Sequence, residues 1–459
     1  MSIELLPTKE NIKSTLSEDL ICRNESLYYF LELLNGLEGP TSISLNGYWG
    51  SGKTFFVKQA EYVLNTINEF TGTTSDDDRE LVESCFGKIS RNWSLSNYAP
   101  QVAVYYDSWA NDNDIDPILS IVYTIIKTID VNYSLEESPS FLKIAGSIAD
   151  CITGREITKV FEGFKGSNPL SAIKEQHDLT NLIKVFLSDI IKERGNRLVI
   201  FVDELDRCRP QYAVQLLERV KHYFGTDNVT FVFSVNVEEL QHTVKQFYGE
   251  GFNAGRYLDR FFDIRVSLPP AKIEKFYQKI GLSNGTWVYE KNCCKVIDMC
   301  HLELREITRF YSIAKMAAYK PMHENRQFLF SDGKATQYNL LYIAPLLIGL
   351  QLSDLRAYED FISGKDGTPL KKLIMSDDWC QHTMSPFISR DKTFDENSDQ
   401  QKCVKVEDVI QEWYEAVFCR IYDNRTYSYT MGELEFNKEH KIELLNTISL
   451  LSHFASFDS

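Results

Sequence analysis

The sequence has no apolar run long enough for a membrane helix. Its longest candidate, Tyr338 to Leu350, is too short to cross a bilayer and carries Pro345 near its middle, so a buried helix is expected. The start, MSIELLPTKENIK, turns polar at once and shows no signal segment, which predicts a cytoplasmic protein without a membrane span. Cysteine is neither dense nor patterned: ten are scattered along 459 residues. The closest group, Cys293, Cys294, Cys300 and His301, lacks the paired spacing of a usual zinc site, so packed thiols are expected and disulfides are not. Positive charge is in deficit, with 49 Lys and Arg against 65 Asp and Glu and a formal net charge of −16. That balance opposes indiscriminate binding to phosphate backbones, although a local basic groove is compatible with it. No internal repeat is visible. The aromatic share of 13% is too high for a disordered chain, and the length allows two or three domains.

What the sequence does have is strands alternating with helices. Leu27, Phe30, Leu31 and Leu34 line one face of a helical stretch within residues 1–40. Short apolar runs then follow at Ile43 to Asn46, QVAVYY, RLVIFVD, NVTFVFSV and DIRVSLP, separated by helical spacing. Such alternation predicts an α/β fold with a mostly parallel central sheet covered on both faces. The core is placed at 41–270, with insertions at about 71–100, opening on the acidic TGTTSDDDRE, and at about 131–178. A helical lid is expected over 271–320, and a mainly helical region of unknown role over 321–459.

GYWGSGKT, Gly47 to Thr54, matches G-x-x-x-x-G-K-[ST] between a strand and a helix. The residues of this cradle are Gly47, Tyr48, Trp49, Gly50, Ser51, Gly52, Lys53 and Thr54. Its backbone N–H groups and helix N-terminus suit a polyphosphate, Lys53 would reach the β and γ phosphates, and the Thr54 hydroxyl would ligate Mg²⁺. A guanine-reading NKxD arrangement is missing, which favours ATP over GTP.

In RLVIFVDELDRC, five apolar residues deliver Asp203 and Glu204 to the carboxyl end of a strand, where ligands of parallel sheets bind. Asp203 would hold Mg²⁺ through water, and Glu204 would polarise the attacking water. Asp206 and Arg207 are expected to pair with each other. At the end of NVTFVFSVN, Ser234 or Asn236 either senses the γ-phosphate or caps the next helix. Asp107 could assist in placing water, and Trp109 more simply packs. Arg260 would act on the γ-phosphate of a neighbouring subunit, or else form a salt bridge with Asp259 or Asp263; Arg256 lies close by. Arg305 would report nucleotide state to the lid, or pair with Glu303 or Glu306.

These pieces resemble the KAP family of P-loop NTPases. The likeness rests on LNGYWGSGKT, YYDSWAND, VIFVDELDRCRP and the SVN…YLDRFFD stretch, and covers about residues 20 to 310. It implies nucleotide binding by Gly47 to Thr54, a Mg²⁺ role for Asp203 and a catalytic acid position for Glu204. Three departures stand out: no inserted membrane helices, Asp107-Ser108 where Asn-Ala is usual, and Glu204 in place of a second aspartate. Bacterial relatives often sit in anti-phage or mobile-element settings, and some act beside separate effectors.

The expected activity is Mg²⁺-dependent ATP hydrolysis working as a conformational switch on an oligomer or a protein partner. Two rivals stand beside it: a nucleic-acid-stimulated ATPase or motor, and a nucleotide-binding scaffold with little turnover. A nuclease or protease in the last third is poorly motivated, because His323, His382 and His440 do not fall at ligand spacing with acids. The run DKTFDENSD lacks the glycine and the terminal glutamate of an EF-hand loop.

Overall fold

A computed structural model describes residues 6–72, 74–91, 93–114, 116–133, 183–223, 228–282, 288–319, 333–394, 401–423 and 427–449. The insertion expected over 131–178, apart from 131–133, lies outside the described residues, as does His323. The acidic run DKTFDENSD is described only up to Phe394.

The chain divides into two compact units, Leu5–Ile273 and Glu274–Ser459. In the first, helices α1 (Lys9–Glu18) and α2 (Asn24–Asn35) lead into β1 (Thr41–Asn46), α3 (Lys53–Ile67) and α4 (Asp76–Gly87). Next come β2 (Gln101–Asp107), α5 (Pro117–Tyr133), α6 over 183–194 and β3 (Arg197–Asp203). The unit closes with α7 (Pro210–Tyr223), β4 (Val229–Val235), α8 (Val237–Tyr248), α9 (Ala254–Leu258) and β5 (Ile264–Ser267).

The five strands form one sheet in the order β2-β3-β4-β1-β5, and every neighbouring pair is parallel. Parallel neighbours need crossover connections, so helices cover both faces and the strands are apolar on both sides. Along β3, Val199 and Phe201 pack with Ile43, Leu45, Ala103 and Val232 against α1 to α4. Leu198, Ile200 and Val202 point the other way, with Val102, Val104, Phe231 and Phe233, against α5 to α9. The period of two then decides the strand ends: Tyr105, Asp203 and Ser234 share the parity that faces α3. The mostly parallel α/β architecture is the one expected.

The 71–100 stretch forms α4, but its acidic opening is not wholly exposed. Asp76 and Asp77 are exposed, whereas Asp78 is buried. It completes a capping box with Ser75, accepts a hydrogen bond from Tyr62, and pairs with Lys9 and Lys13 of α1. An acid three residues after an N-cap serine serves the helix end first.

The second unit is mainly helical. Its central helix, Ala344–Ser353, is buried from Ala344 to Leu350 and follows a π-helical turn at Asn339–Ile343. Pro345 follows that π turn inside a continuous helical run, and Leu341, whose carbonyl lies four residues before it, accepts from Asn292 Nδ2 at 2.8 Å instead. Trp413 is buried against Tyr338, Tyr342 and Phe387 and donates its indole N–H to Asn339 at 2.9 Å. Cys293 and Cys294 are buried on the helix Val288–Met299, and burial raises the pKa of both thiols. A short antiparallel ribbon, Tyr429–Met431 with Leu434–Phe436, adds strands the sequence did not announce. Among the described residues no helix is long and apolar enough to cross a membrane.

Arg197 ties the bottom of the sheet together. Its buried guanidinium donates to the carbonyls of Gly39 and Leu37 and to the Thr230 hydroxyl. Arg197→Met would leave these acceptors behind in a dry place, so it should cost about 3 kcal/mol in a denaturant melt. A loss below about 1 kcal/mol would mean that water replaces the guanidinium there.

Candidate functional site

The cradle begins where β1 ends. Gly47 continues the ladder by donating its N–H to Val235 at 3.2 Å, and the chain then turns back to enter α3. Gly52 takes a φ of 89°, a left-handed value that a side chain would resist. A Cβ on Gly47 would stand 2.9 Å from Ser51 Oγ, so the loop is closed on itself with no room for one. Lys53 folds inward, donating to the carbonyls of Gly47 at 2.7 Å and Tyr48 at 3.1 Å. Burial lowers its pKa, an effect opposed by Asp206, Asp203 and Glu204.

Asp203 faces this lysine from the end of β3 and is 1% exposed. Tyr105 donates to its Oδ2 at 3.0 Å, while Oδ1 is buried and has no hydrogen-bond partner among the described residues. The Thr54 and Ser234 hydroxyls lie beside the carboxylate and pull its pKa down, as do Tyr105 and Lys53, but burial outweighs them and the net shift is upward. Holding the strand end in place, Ser108 donates both its N–H, at 3.1 Å, and its hydroxyl to the Asp203 carbonyl.

Glu204 follows with a φ of 61°, rare for a residue with a side chain. Its Oε2 lies 2.7 Å from Arg207 Nε. Burial raises the Glu204 pKa, Arg207 lowers it, and Asp203, Asp206 and Asp107 raise it again. The pairing expected between Asp206 and Arg207 is therefore not the one formed. The 3₁₀ turn Leu205–Arg207 carries Arg207 back over Glu204, whereas Asp206 points into the core. There Asp206 Oδ2 accepts from the Trp49 indole at 2.6 Å and from the Asn236 N–H at 3.1 Å.

Asn236 caps α8, its Oδ1 accepting from Glu238 N–H at 3.1 Å, which satisfies the capping alternative. Asp107 accepts from Ala110 N–H at 2.9 Å and shapes the turn after β2. Trp109 is 53% exposed in that turn and does not pack into the core. Thus the eight cradle residues, Asp203, Glu204 and Asn236 converge at one end of the sheet, with Ser234, Asp206 and Arg207.

Arg260 does not join them. It lines a small hollow with Ser42 and Asp263, beside the start of β1, and its carbonyl accepts from Lys221. Five residue steps separate Ser42 from Gly47, about 17 Å at the usual rise, so Arg260 cannot act in its own cradle. Neither acid takes the salt bridge considered for it: Asp259 pairs with Arg265, and Asp263 accepts from Ser42 N–H at 2.8 Å. The Arg256 N–H is held by Asn253 Oδ1 at 3.0 Å. Arg305 belongs to the second unit, near the start of the helix Leu304–Ala314.

Reasoning from sequence alone missed three supports. Tyr105 and Ser108 were findable from strand parity and from their place beside the RLVIFVD end. Arg23, 3% exposed, carried no local signal. It donates to the carbonyls of Ser51 at 2.7 Å and Pro269 at 2.6 Å, bracing the cradle against the chain that leaves β5.

The donor set suits a polyphosphate with a divalent cation. It offers the start of a helix, one lysine, a threonine hydroxyl and a buried carboxylate oxygen without a partner among the described residues. Among the described residues no three His, Cys, Asp or Glu side chains converge as a metal site, so the cation's remaining ligands would be phosphate and water.

Comparison with known proteins bears on this site. The model of the KAP family P-loop domain matches residues 23–318. No curated protein matches the chain. Among solved structures, the Aeropyrum pernix ORC2 protein in ADPNP–ADP complexes is 11% identical, covers 97% of this chain and 94% of its own, and has a TM-score of 0.31. A likeness that faint says nothing about chemistry.

The bracing by Arg23 can be measured. In Arg23→Met the amides of 47–54 should exchange with deuterium about tenfold faster, while those of β3 stay unchanged. Equal protection of 47–54 in both proteins would show that the cradle keeps its shape unaided.

Proposed function

The chain belongs to the KAP family of P-loop NTPases, and on that premise we propose that it hydrolyses ATP as a conformational switch. The observation that carries this reading is the unpartnered Oδ1 of Asp203, buried beside Thr54 and facing Lys53. A buried carboxylate oxygen without a donor is costly unless a cation takes its place. Magnesium held by Thr54 and Asp203 would neutralise phosphate charge in the site.

In this reading Lys53 exchanges the Gly47 and Tyr48 carbonyls for phosphate oxygens, and amides of the loop after Gly47, whose own N–H stays on Val235, hold the rest of the chain of phosphates. Glu204 accepts a proton from water as its oxygen bonds to the γ-phosphorus, and the bond to the β-phosphate oxygen breaks to release ADP. Ser234, or the Asn236 amide that remains after capping, sits where a γ-phosphate would be sensed. Arg260 supplies its charge to the cradle of a neighbouring copy, so an oligomer is part of the reading. Arg305, within the helical unit and the segment 271–320 taken as a lid, would report nucleotide state to a protein partner. A cytoplasmic place in defence against phage rests on family resemblance alone.

Two substitutions test the reading in the full chain. Lys53→Ala should weaken nucleotide binding about a hundredfold or more. Glu204→Gln should bind ATP as the parent does yet hydrolyse it at least about a hundredfold more slowly in a single turnover. Turnover by Glu204→Gln at the parental rate would remove the acid from the reaction. Competition by GTP, and rates measured with added DNA or RNA, separate the ATP switch from a GTPase and from a nucleic-acid motor.

A further inference from the structure

Arg207 is bound to the acid on one side and to two tryptophans on others. Its Nε lies 2.7 Å from Glu204 Oε2, an ion-pair contact without hydrogen-bond geometry. Its guanidinium carbon stands 5.5 Å from the Trp49 ring centroid and 5.6 Å from that of Trp109, within cation–π reach of both. The two indoles come from separate elements, the cradle and the turn after β2. They are 44% and 53% exposed, so core packing does not account for either. Trp49 has a second tie: its N–H donates to Asp206, one residue before Arg207.

Glu204 needs such support. Its left-handed backbone is the kind of strain that persists only where neighbours over-determine it, and Leu205, Asp206 and Arg207 wind straight back from it. A carboxylate on that backbone reaches water usefully in one orientation, and the guanidinium beside it restricts the choice. We propose that Arg207 is a positioning residue which holds the Glu204 carboxylate for attack on the γ-phosphate, and that Trp49 and Trp109 hold Arg207 in turn. The tryptophan within the cradle then serves the acid rather than the nucleotide, and the set of the phosphate loop reaches Glu204 through Trp49 and Arg207. This rests on the hydrolase reading given above.

A double-mutant cycle tests it in the full chain, using Arg207→Gln, Glu204→Gln and the two combined. Arg207→Gln should lower kcat about ten- to a hundredfold, with KM and the dissociation constant for a slowly hydrolysed ATP analogue within about twofold of the parent. Added to Glu204→Gln, it should change the rate less than about twofold, because a residue acting through Glu204 has nothing left to position. Trp109→Phe keeps a ring beside the guanidinium and should retain more of the parental kcat than Trp109→Ala, which should resemble Arg207→Gln. Losses that multiply in the double variant would show Arg207 acting on substrate directly and overturn the proposal. So would Arg207→Gln turning over at the parental rate, or equal rates for the two Trp109 variants. If Arg207→Gln does not fold, Arg207→Lys, which cannot offer Nε while facing the rings, carries the same cycle. A parental chain without ATP turnover sinks the hydrolase reading and this proposal together, whereas the other outcomes sink the proposal alone.

Discussion

The site depends on a single buried charge, the Asp203 carboxylate at the end of the central strand β3. With 1% of its surface exposed, it would be untenable without partners. The two strands beside β3 and the cradle helix surround it: Tyr105 from β2 donates to Oδ2, and Ser234 from β4 and Thr54 and Lys53 from α3 lie beside it. Each is presented by strand parity or by the first turn of a helix, not by a flexible loop. Shifting β2 or β4 by one residue would turn Tyr105 or Ser234 to the other face. The sheet register is thus also the geometry of the site.

Around that carboxylate the charges do not balance. Asp107, Asp203 and Asp206 all raise the Glu204 pKa while Arg207 lowers it, and Asp203, Glu204 and Asp206 all favour the charge on Lys53. The two cations are placed differently. Lys53 is held only by loop carbonyls, which are easily exchanged for phosphate oxygens. Arg207 is held by a carboxylate and two aromatic rings. One cation is free to follow a ligand, and the other is built into the protein.

Much of this could be read from the residues, and the parts that could not share a cause. The five strands and the cradle were legible because apolar runs and the G-x-x-x-x-G-K-[ST] spacing are local signals. Asp203 and Glu204 were legible because a strand end next to a cradle has few other places to go. The Asp206–Arg207 pairing was misjudged because adjacency in sequence says little in a 3₁₀ turn, where side chains of neighbouring residues diverge. Arg23 was invisible: its partners, Ser51 and Pro269, lie 28 and 246 residues away, and no periodicity marks a contact of that kind. Asp78 looked like part of an acidic surface because its partners Lys9, Lys13 and Tyr62 come from two other helices.

The position of Arg260 carries the last step. It stands at the start of β1, whereas the cradle stands at that strand's end, and no side-chain rotation spans the strand between them. A cation needed beside the γ-phosphate of this chain, in addition to Lys53, therefore does not come from Arg260 of the same chain. Arg207 is already committed to Glu204 and two indoles. If the transition state takes a further positive charge, Arg260 can offer it only to the cradle of another copy, and in the proposed reading hydrolysis then becomes sensitive to assembly. In the switch proposed above, that sensitivity would let a lone copy bind nucleotide and hold it until a second copy is brought to the cradle.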